Sequence, residues 1–282
     1  MTQTEEHAVY SVDGTRISYF TVGSGPAVLI VGGTLRRAND YLPLANALSR
    51  DFQVHVIERR GRGGSGPQGT SYGIEREVED VRAVLEQTKT PRLFGHSFGG
   101  LVALQVAAGD PRLTQVAAYE PAVSMAGSIP TTWLPDYEQL LRRGDRRGAF
   151  AHLVRGSGHA PAALSRMPFR CTKLALAVGV RGERWSQMAS LLEQSALEHA
   201  EVQQLDGQLL RYGSVTAQVV LMAGERSPAS VSASFPDLER LIPDCNCLTI
   251  PGLSHTAPDE GAPSEVAAHL RAVFARRPAT WC

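Results

Sequence analysis

Short strand-like runs of apolar residues alternate along this 282-residue chain with stretches whose apolar residues follow helical spacing. The clearest run is Ala27-Val-Leu-Ile-Val31, which is apolar at every position and rich in β-branched residues. Such a strand must be covered on both faces, as strands in the interior of a parallel sheet are. Parallel strands that are joined through helices form right-handed crossover units. The alternation therefore predicts an α/β fold with a mostly parallel central sheet flanked by helices.

The alternation is interrupted between residues 122 and 214, where apolar residues fall at helical spacing and few runs resemble strands. Strand-like sequence resumes at 217–222. We therefore predict a core made of residues 1–121 and 215–282, with residues 122–214 as a helical cap or lid insertion. Residues 122–214 are called the inserted segment below.

Composition and charge exclude several classes of protein. Lys plus Arg and Asp plus Glu both number 28, so nothing predicts nucleic acid or an anionic membrane surface as a partner. No stretch approaches the ~18 consecutive apolar residues of a membrane span, and the first residues lack the apolar core of a secretory signal. Cys245 and Cys247 form a C-x-C without a second pair, which is not a zinc pattern. We expect a soluble, cytoplasmic protein that acts on a small molecule without a metal or other cofactor; no oligomeric state is indicated.

A glycine-rich loop follows the strand-like run at 53–57. Gly61, Gly63 and Gly66 form a literal G-x-G-x-x-G, the pattern of dinucleotide-binding loops. In such a site the third glycine opens a helix whose N-terminus holds the pyrophosphate. Here Pro-Gln-Gly follows Gly66, and the next helical pattern starts only near Tyr72. The sequence therefore disfavours a dinucleotide site and favours a tight loop that passes close to other backbone.

A second glycine pattern carries the candidate chemistry. Gly95-His-Ser97-Phe-Gly99 lies between a short strand-like run and a helical stretch. A serine at such a sharp turn projects its Oγ above the sheet, and the flanking glycines allow strand and helix to pack closely. The amide of Phe98, at the start of the helix, points to where negative charge would develop on an attacked carbonyl. We therefore interpret Ser97 as a nucleophile rather than as a simple helix cap.

These two glycine patterns together resemble the α/β-hydrolase fold superfamily, whose serine hydrolases carry the G-x-S-x-G nucleophile elbow. The loop Glu58-x-Arg60-Gly61-x-Gly63-x-Ser65 is similar to the D-x-R-G-x-G-x-S loop of that superfamily, with Glu58 in the place of the usual Asp. The resemblance implies that this loop is structural and supports the floor of the active site.

The resemblance also implies an oxyanion hole made of two backbone amides. One is the amide of Phe98, and the other comes from the loop after the first buried strand, Gly32-Gly33-Thr34. In the superfamily this loop usually reads His-Gly-x, and the residue after the glycine donates its amide. The second donor is therefore expected to be Thr34, with Gly32 where the histidine usually stands.

His255 is the predicted general base. It follows the strand-like run at 246–250 by a few residues, which places it at the carboxyl edge of the sheet, where open α/β folds bind their ligands. It also comes last in the Ser, acid, His order of α/β-hydrolases.

The acid that completes the triad has more than one candidate. In the resembling superfamily an Asp usually stands at the place that Ser227 occupies, and a serine cannot supply the charge that stabilises an imidazolium. Glu120 stands at the tip of the preceding strand, where Pro121 stops it, and some α/β-hydrolases place the acid there. Glu225 lies in the usual loop but two positions early. We favour Glu120, with Glu225 as the alternative acid and the absence of a functional acid as a third possibility.

The predicted function is a serine hydrolase that cleaves an ester, thioester, lactone or related carbonyl bond through an acyl-enzyme on Ser97. Apolar and aromatic residues of the inserted segment indicate a small, apolar substrate, with Met125, Trp133 and Trp185 as candidate pocket residues. Two alternatives remain open at this point: a lyase or cyclase with the same fold, and a ligand-binding protein without turnover.

Overall fold

The structure is a computed structural model that describes residues 4–158, 164 and 166–275, and its described strands form one eight-stranded sheet. The strands are β1 (Glu5–Tyr10), β2 (Arg16–Val22), β3 (Ala27–Val31), β4 (Gln53–Ile57), β5 (Arg92–His96), β6 (Gln115–Tyr119), β7 (Gln218–Gly224) and β8 (Cys245–Ile250). Their order across the sheet is β1-β2-β4-β3-β5-β6-β7-β8. The pairs β1–β2 and β2–β4 are antiparallel, and all later pairs are parallel. The predicted mostly parallel sheet is confirmed.

Helices cover both faces of this sheet. Those with described bounds are α1 (Leu42–Leu48), α2 (Ile74–Thr88), α3 (Phe98–Ala107), α4 (Leu134–Arg142), α5 (Arg146–Gly156), α6 (Phe169–Gly179), α7 (Gly182–Ala189), α8 (Leu192–Gln204), α9 (Phe235–Leu241) and α10 (Pro263–Ala275). Val28 and Ile30 of β3 pack with α1 and α10, whereas Leu29 and Val31 pack with α2 and α3. Because successive strand residues point to opposite faces, the unbroken apolar run of β3 serves two core layers at once.

The inserted segment contains helices α4 to α8, which share a third hydrophobic cluster. The Tyr137 ring of α4 is fully buried in it, and the Tyr137 hydroxyl donates to the Leu192 carbonyl oxygen over 2.7 Å. Leu35, from the loop after β3, packs into the same cluster. The helical character of the segment agrees with the sequence pattern, and its separation from the core as a cap stays a prediction.

The glycine-rich loop after β4 is a tight turn with no helix at its end. Gly63 has φ +48°, and a Cβ there would lie 2.3 Å from the Glu58 Oε2 atom. The Gly61 amide donates to the Gly66 carbonyl oxygen over 2.8 Å, which closes the loop. Helix α2 begins only at Ile74. The glycines thus permit close approach within the loop, as expected from the sequence.

Within residues 4–158, 164 and 166–275, none of the helices combines the length and the apolar character needed to cross a bilayer.

Candidate active site

The turn between β5 and α3 is strained and closely packed. Ser97 has φ 55° and ψ −121°, a strained conformation for a residue with a side chain. A Cβ on Gly95 would lie 2.3 Å from the Gly99 carbonyl oxygen, and one on Gly99 would lie 2.2 Å from the Val31 carbonyl oxygen. Strand and helix therefore meet so closely that only glycine fits at both positions.

Backbone strain is concentrated around one cavity. Leu35 (φ 57°), Ser97 (φ 55°) and Glu120 (φ 45°) each adopt positive φ, although each carries a side chain. All three line the same cavity above the carboxyl edge of the sheet. Such strain persists only where surrounding contacts over-determine it, and it is concentrated at functional sites.

Glu120 and His255 form a close pair in this cavity. The Glu120 side chain is buried, and its Oε2 atom lies 2.6 Å from Nδ1 of His255. Its Oε1 atom accepts from the Gly224 amide over 2.8 Å. Both carboxylate oxygens are thus bonded, and the contact at Nδ1 orients the imidazole ring. Ser97, Glu120 and His255 all line the cavity.

Glu225 and Ser227 lie in the loop where the superfamily usually has its acid. The Glu225 carboxylate accepts from the Gly252 amide over 2.9 Å in an exposed turn, away from the pairing between Glu120 and His255. The Ser227 hydroxyl is buried and has no hydrogen-bond partner in the described part of the chain. Of the two candidate carboxylates, the structure brings Glu120 to the imidazole.

The loop that carries His255 is held to the sheet by neighbouring backbone and side chains. The Tyr119 hydroxyl donates to the Ser254 carbonyl oxygen over 2.9 Å. Nε2 of His96 lies 2.8 Å from the His255 carbonyl oxygen, and the Arg226 amide donates to the Leu253 carbonyl oxygen over 2.9 Å. These contacts fix the position of the imidazole relative to β5 and β6.

The two expected amide donors also lie at the cavity. Thr34 and Phe98 are among its lining residues, and Phe98 is the first residue of α3, whose opening amides have no partner within the helix. A Cβ on Gly33 would lie only 3.1 Å from the Ser97 Cβ, so the loop after β3 passes directly beside the elbow. The arrangement suits an oxygen that develops negative charge beside Ser97.

The cavity has a volume of about 620 Å³ and a mainly apolar wall. Its apolar side chains come from the core and from the inserted segment and include Phe98, Ile129, Phe150, Leu153, Val154, Leu176, Met188, Val202 and Val231. Polar groups also reach it, namely Arg36, Arg184, His199 and Glu260. Arg36 is paired with Asp259 and Glu260, and Arg184 is paired with Glu260.

Met125, Trp133 and Trp185, the three candidate pocket residues, are not among the residues that line this cavity. Trp133 packs in the third hydrophobic cluster, edge-on to Tyr137 and His199. The Arg147 guanidinium lies over the Trp185 ring, 3.6 Å from the ring centroid. Met125 is partly buried and packs against the main hydrophobic core. Large apolar side chains of the inserted segment thus pack against one another as well as toward the cavity.

His199 is a cavity residue that sequence reasoning missed. It lies on α8, and its Nδ1 atom is 2.7 Å from the Ser195 carbonyl oxygen one turn earlier. Burial lowers the pKa of His199, which favours the neutral ring. No local motif marks this histidine, because only the packing of α8 turns it toward the cavity.

Comparison with known proteins decides the family. The sequence profile of the Alpha/beta hydrolase family matches residues 27–269. The chain belongs to this family. Among solved structures, an alpha/beta hydrolase from Sphaerobacter thermophilus superposes with a TM-score of 0.80 at 28% identity, covering 95% of this chain and 100% of that one.

Two relatives with more specific names are also similar to this chain. A 2-(acetamidomethylene)succinate hydrolase from Mesorhizobium japonicum is 25% identical over 83% of this chain and 82% of its own length. A pimeloyl-(acyl-carrier protein) methyl ester esterase from Xanthomonas oryzae is 26% identical over 91% of this chain and 98% of its own length. Two relatives whose names give different substrates are therefore about equally similar to this chain.

Proposed function

We propose that this α/β-hydrolase family member is a serine hydrolase that forms an acyl-enzyme on Ser97. The observation that carries the proposal is the 2.6 Å contact between Glu120 and His255 in the cavity that Ser97 also lines. A buried carboxylate bonded to one ring nitrogen orients an imidazole and stabilises its protonated form, which is the task of the third triad member.

The proposed reaction begins when Ser97 Oγ attacks the substrate carbonyl carbon while Nε2 of His255 takes the hydroxyl proton. The carbonyl oxygen becomes an oxyanion that accepts hydrogen bonds from the Thr34 and Phe98 amides. Its collapse expels the leaving group, which receives the proton from the His255 imidazolium. A water molecule then attacks the acyl-serine, with the same imidazole as base, and releases the acid. Glu120 keeps its negative charge throughout, and no cofactor takes part.

The proposed substrate is a small molecule with an apolar acyl or alcohol part and an ester, thioester, lactone or related carbonyl bond. A cavity of about 620 Å³ suits a small ligand, and its wall is mainly apolar. The relatives' names include an esterase and a hydrolase, which supports carbonyl hydrolysis as the reaction class. The paired charges of Arg36 and Glu260 are expected to meet the polar end of the substrate.

Covalent labelling tests the role of Ser97. We expect a fluorophosphonate probe to label the wild-type protein, with the modified peptide containing Ser97, and to leave Ser97→Ala unlabelled. Wild-type protein should hydrolyse at least one member of a panel of nitrophenyl esters of increasing acyl length. Equal labelling of the wild type and Ser97→Ala would end the proposal.

Analysis of the products of ester turnover separates hydrolysis from its alternatives. In heavy-oxygen water, hydrolysis places one solvent oxygen in the released acid, whereas a lyase or cyclase reaction on this fold does not. A labelled Ser97 with no turnover of any ester would favour a binding protein.

A further inference from the structure

Tyr41 lies directly behind the loop that carries the expected oxyanion donor. Its side chain is fully buried, and a Cβ on Gly32 would lie 2.5 Å from the Tyr41 Cε2 atom. The tyrosine ring therefore occupies the space next to position 32, and glycine is required there because the ring is present. The residue that the superfamily usually has at this position is a histidine, so this chain builds the back of the loop differently.

A continuous hydrogen-bonded chain runs from this loop to the loop of the proposed base. The Gly33 amide donates to the Tyr41 hydroxyl oxygen over 2.8 Å. The same oxygen lies 2.7 Å from Nδ1 of His96. Nε2 of His96 lies 2.8 Å from the His255 carbonyl oxygen. The four residues that share these bonds come from four different segments near the carboxyl edge of the sheet.

With a neutral His96 ring, the chemistry of these groups sets the direction of every bond. A backbone amide can only donate and a carbonyl oxygen can only accept, so Nε2 of His96 carries a proton. Nδ1 of the neutral ring is then an acceptor, and the Tyr41 hydroxyl donates to it. Burial raises the pKa of Tyr41, which keeps the hydroxyl protonated. All three bonds thus point the same way, an arrangement in which neighbouring bonds strengthen one another.

We propose that Tyr41 and His96 are positioning residues. They would keep the loop that carries Thr34 and the loop that carries His255 in fixed positions on either side of the Ser97 turn. Neither side chain lines the cavity, so both act through others: Tyr41 through Gly33 and its neighbour Thr34, and His96 through the His255 backbone. The inference rests on the proposed function, because it assigns these residues to the transition state of that reaction. An oxyanion donor lowers the barrier only if it is held in place before the charge develops.

Kinetics of Tyr41→Phe test the inference, because this change removes the hydroxyl and keeps the ring. We expect kcat to fall about 10-fold to 100-fold with KM nearly unchanged, somewhat less than the about 100-fold to 1,000-fold cost of losing an oxyanion donor outright. The substrate is the nitrophenyl ester that the wild type turns over. Tyr212→Phe is the matched control, since its buried hydroxyl bonds to Gln105 Nε2 over 2.8 Å and does not line the cavity.

A double-mutant cycle distinguishes one shared hydrogen-bond chain from two separate structural defects. His96→Phe removes the hydrogen bonds at the other end of the same hydrogen-bond chain. The double variant should therefore lose no more in kcat than the more affected single variant. Losses that multiply, a rise in KM at constant kcat, or a Tyr41→Phe kcat within about 2-fold of wild type would overturn the inference. If His96→Phe does not fold, the comparison of kcat between Tyr41→Phe and Tyr212→Phe decides alone.

Failure of the proposed function has a different signature. If the wild type neither reacts with the fluorophosphonate at Ser97 nor hydrolyses any ester, the serine mechanism falls, and this inference falls with it. A wild type that is labelled and active beside an equally active Tyr41→Phe variant contradicts only the positioning role.

Discussion

Two carboxylates of this chain are candidates from sequence for the triad acid, but their surroundings differ. Glu120 is 2% exposed, follows β6 and contacts the His255 ring, whereas Glu225 caps an exposed turn. A carboxylate that holds an imidazolium must be close and fixed, because the charge it stabilises appears only in the transition state. The difference between the two sites can therefore be measured by removing one charge at a time.

Substitution of each carboxylate by its amide gives the residue-scale prediction. Glu120→Gln should lower kcat about 1,000-fold to 10,000-fold, as loss of the triad acid does elsewhere, because an amide cannot stabilise the imidazolium. Glu225→Gln should stay close to wild type and is the matched control. Steady-state hydrolysis of a nitrophenyl ester measures both. A large loss in Glu225→Gln with little loss in Glu120→Gln would reverse the assignment.

At the residue scale the sequence predicts what a local motif encodes and misses what packing decides. The glycines around Ser97 are read from sequence because strand and helix must approach closely there. Met125 and Trp185 are candidates for the pocket because they are large and apolar, but composition does not tell which large apolar side chains pack in a hydrophobic cluster and which line a cavity. His199 was missed for the same reason, since the orientation of α8 depends on distant partners.

At the element scale, helix α8 is joined to the core by a buried ion cluster. Glu198 Oε1 accepts from Arg62 Nη2 over 2.5 Å and lies 3.0 Å from Arg59 Nη2. Arg59 also bonds to both carboxylate oxygens of Glu77 on α2. Burial alone would raise the pKa of Glu198, but the two guanidiniums hold it below its usual value. Two arginines and two glutamates thus balance their charges out of contact with water.

This cluster also reaches the proposed oxyanion hole. The Arg59 Nη1 atom is 3.3 Å from the Gly33 carbonyl oxygen, and the guanidinium lies 4.6 Å from the centroid of the Phe98 ring. A carboxylate on the inserted segment is therefore connected through one arginine to both loops that would hold the oxyanion.

Removal of the Glu198 charge gives the element-scale prediction. Glu198→Gln leaves two buried guanidiniums with one remaining carboxylate partner, so the free energy of unfolding should fall by about 3–5 kcal/mol. Glu193→Gln on the same helix is the control, because its pair with Arg146 is exposed and should be worth about 0–1 kcal/mol. Urea unfolding followed by circular dichroism measures both. Equal losses in the two variants would show that burial does not set the strength of these pairs.

The bounds of elements were predictable to within a few residues, and the exceptions have local causes. The helical pattern predicts a start of α2 near Tyr72, but Gly73 is extended at φ −170°, so the helix begins at Ile74. It continues to Thr88, where Lys89 ends it at φ 52°. The ion cluster was not predictable, because Arg62 and Glu198 are 136 residues apart and no periodicity links them.

At the scale of the whole molecule, the order of strands explains where the site lies. Strand β3 lies between β4 and β5, and the helix after β3 packs on one face while the helix after β5 packs on the other. The loops after these two strands therefore separate and leave a crevice, as at the switch point of other open α/β sheets. Thr34 and Ser97 lie on its two sides. Sequence predicts the alternation that creates such a sheet, but not which apolar strands become neighbours, because strands buried on both faces offer similar surfaces.

The pH dependence of stability gives the whole-molecule prediction. Burial, with a contribution from the nearby charge of His7, lowers the pKa of His55 to about 4. In the unfolded chain a histidine has a pKa of about 6.5, so between about pH 6.5 and pH 4 the unfolded state binds more protons than the folded state. Above about pH 6.5 His55 is neutral in both states and costs no stability. As the pH falls from about 6.5 toward 4, the free energy of unfolding decreases because the unfolded chain takes up the proton more readily.

A titration of stability measures this effect. Between pH 7 and pH 4.5 the unfolding free energy of the wild type should include a loss of about 1–2 kcal/mol from His55, after allowance for partial solvent access. His55→Leu removes the titrating group and should flatten the curve by that amount, even though loss of the 2.9 Å bond to the Thr21 hydroxyl lowers its stability at pH 7. The comparison depends on the slope with pH and not on the absolute value, so other titrating groups cancel. Parallel curves for the two proteins would mean that His55 is as easily protonated in the folded chain as in the unfolded one.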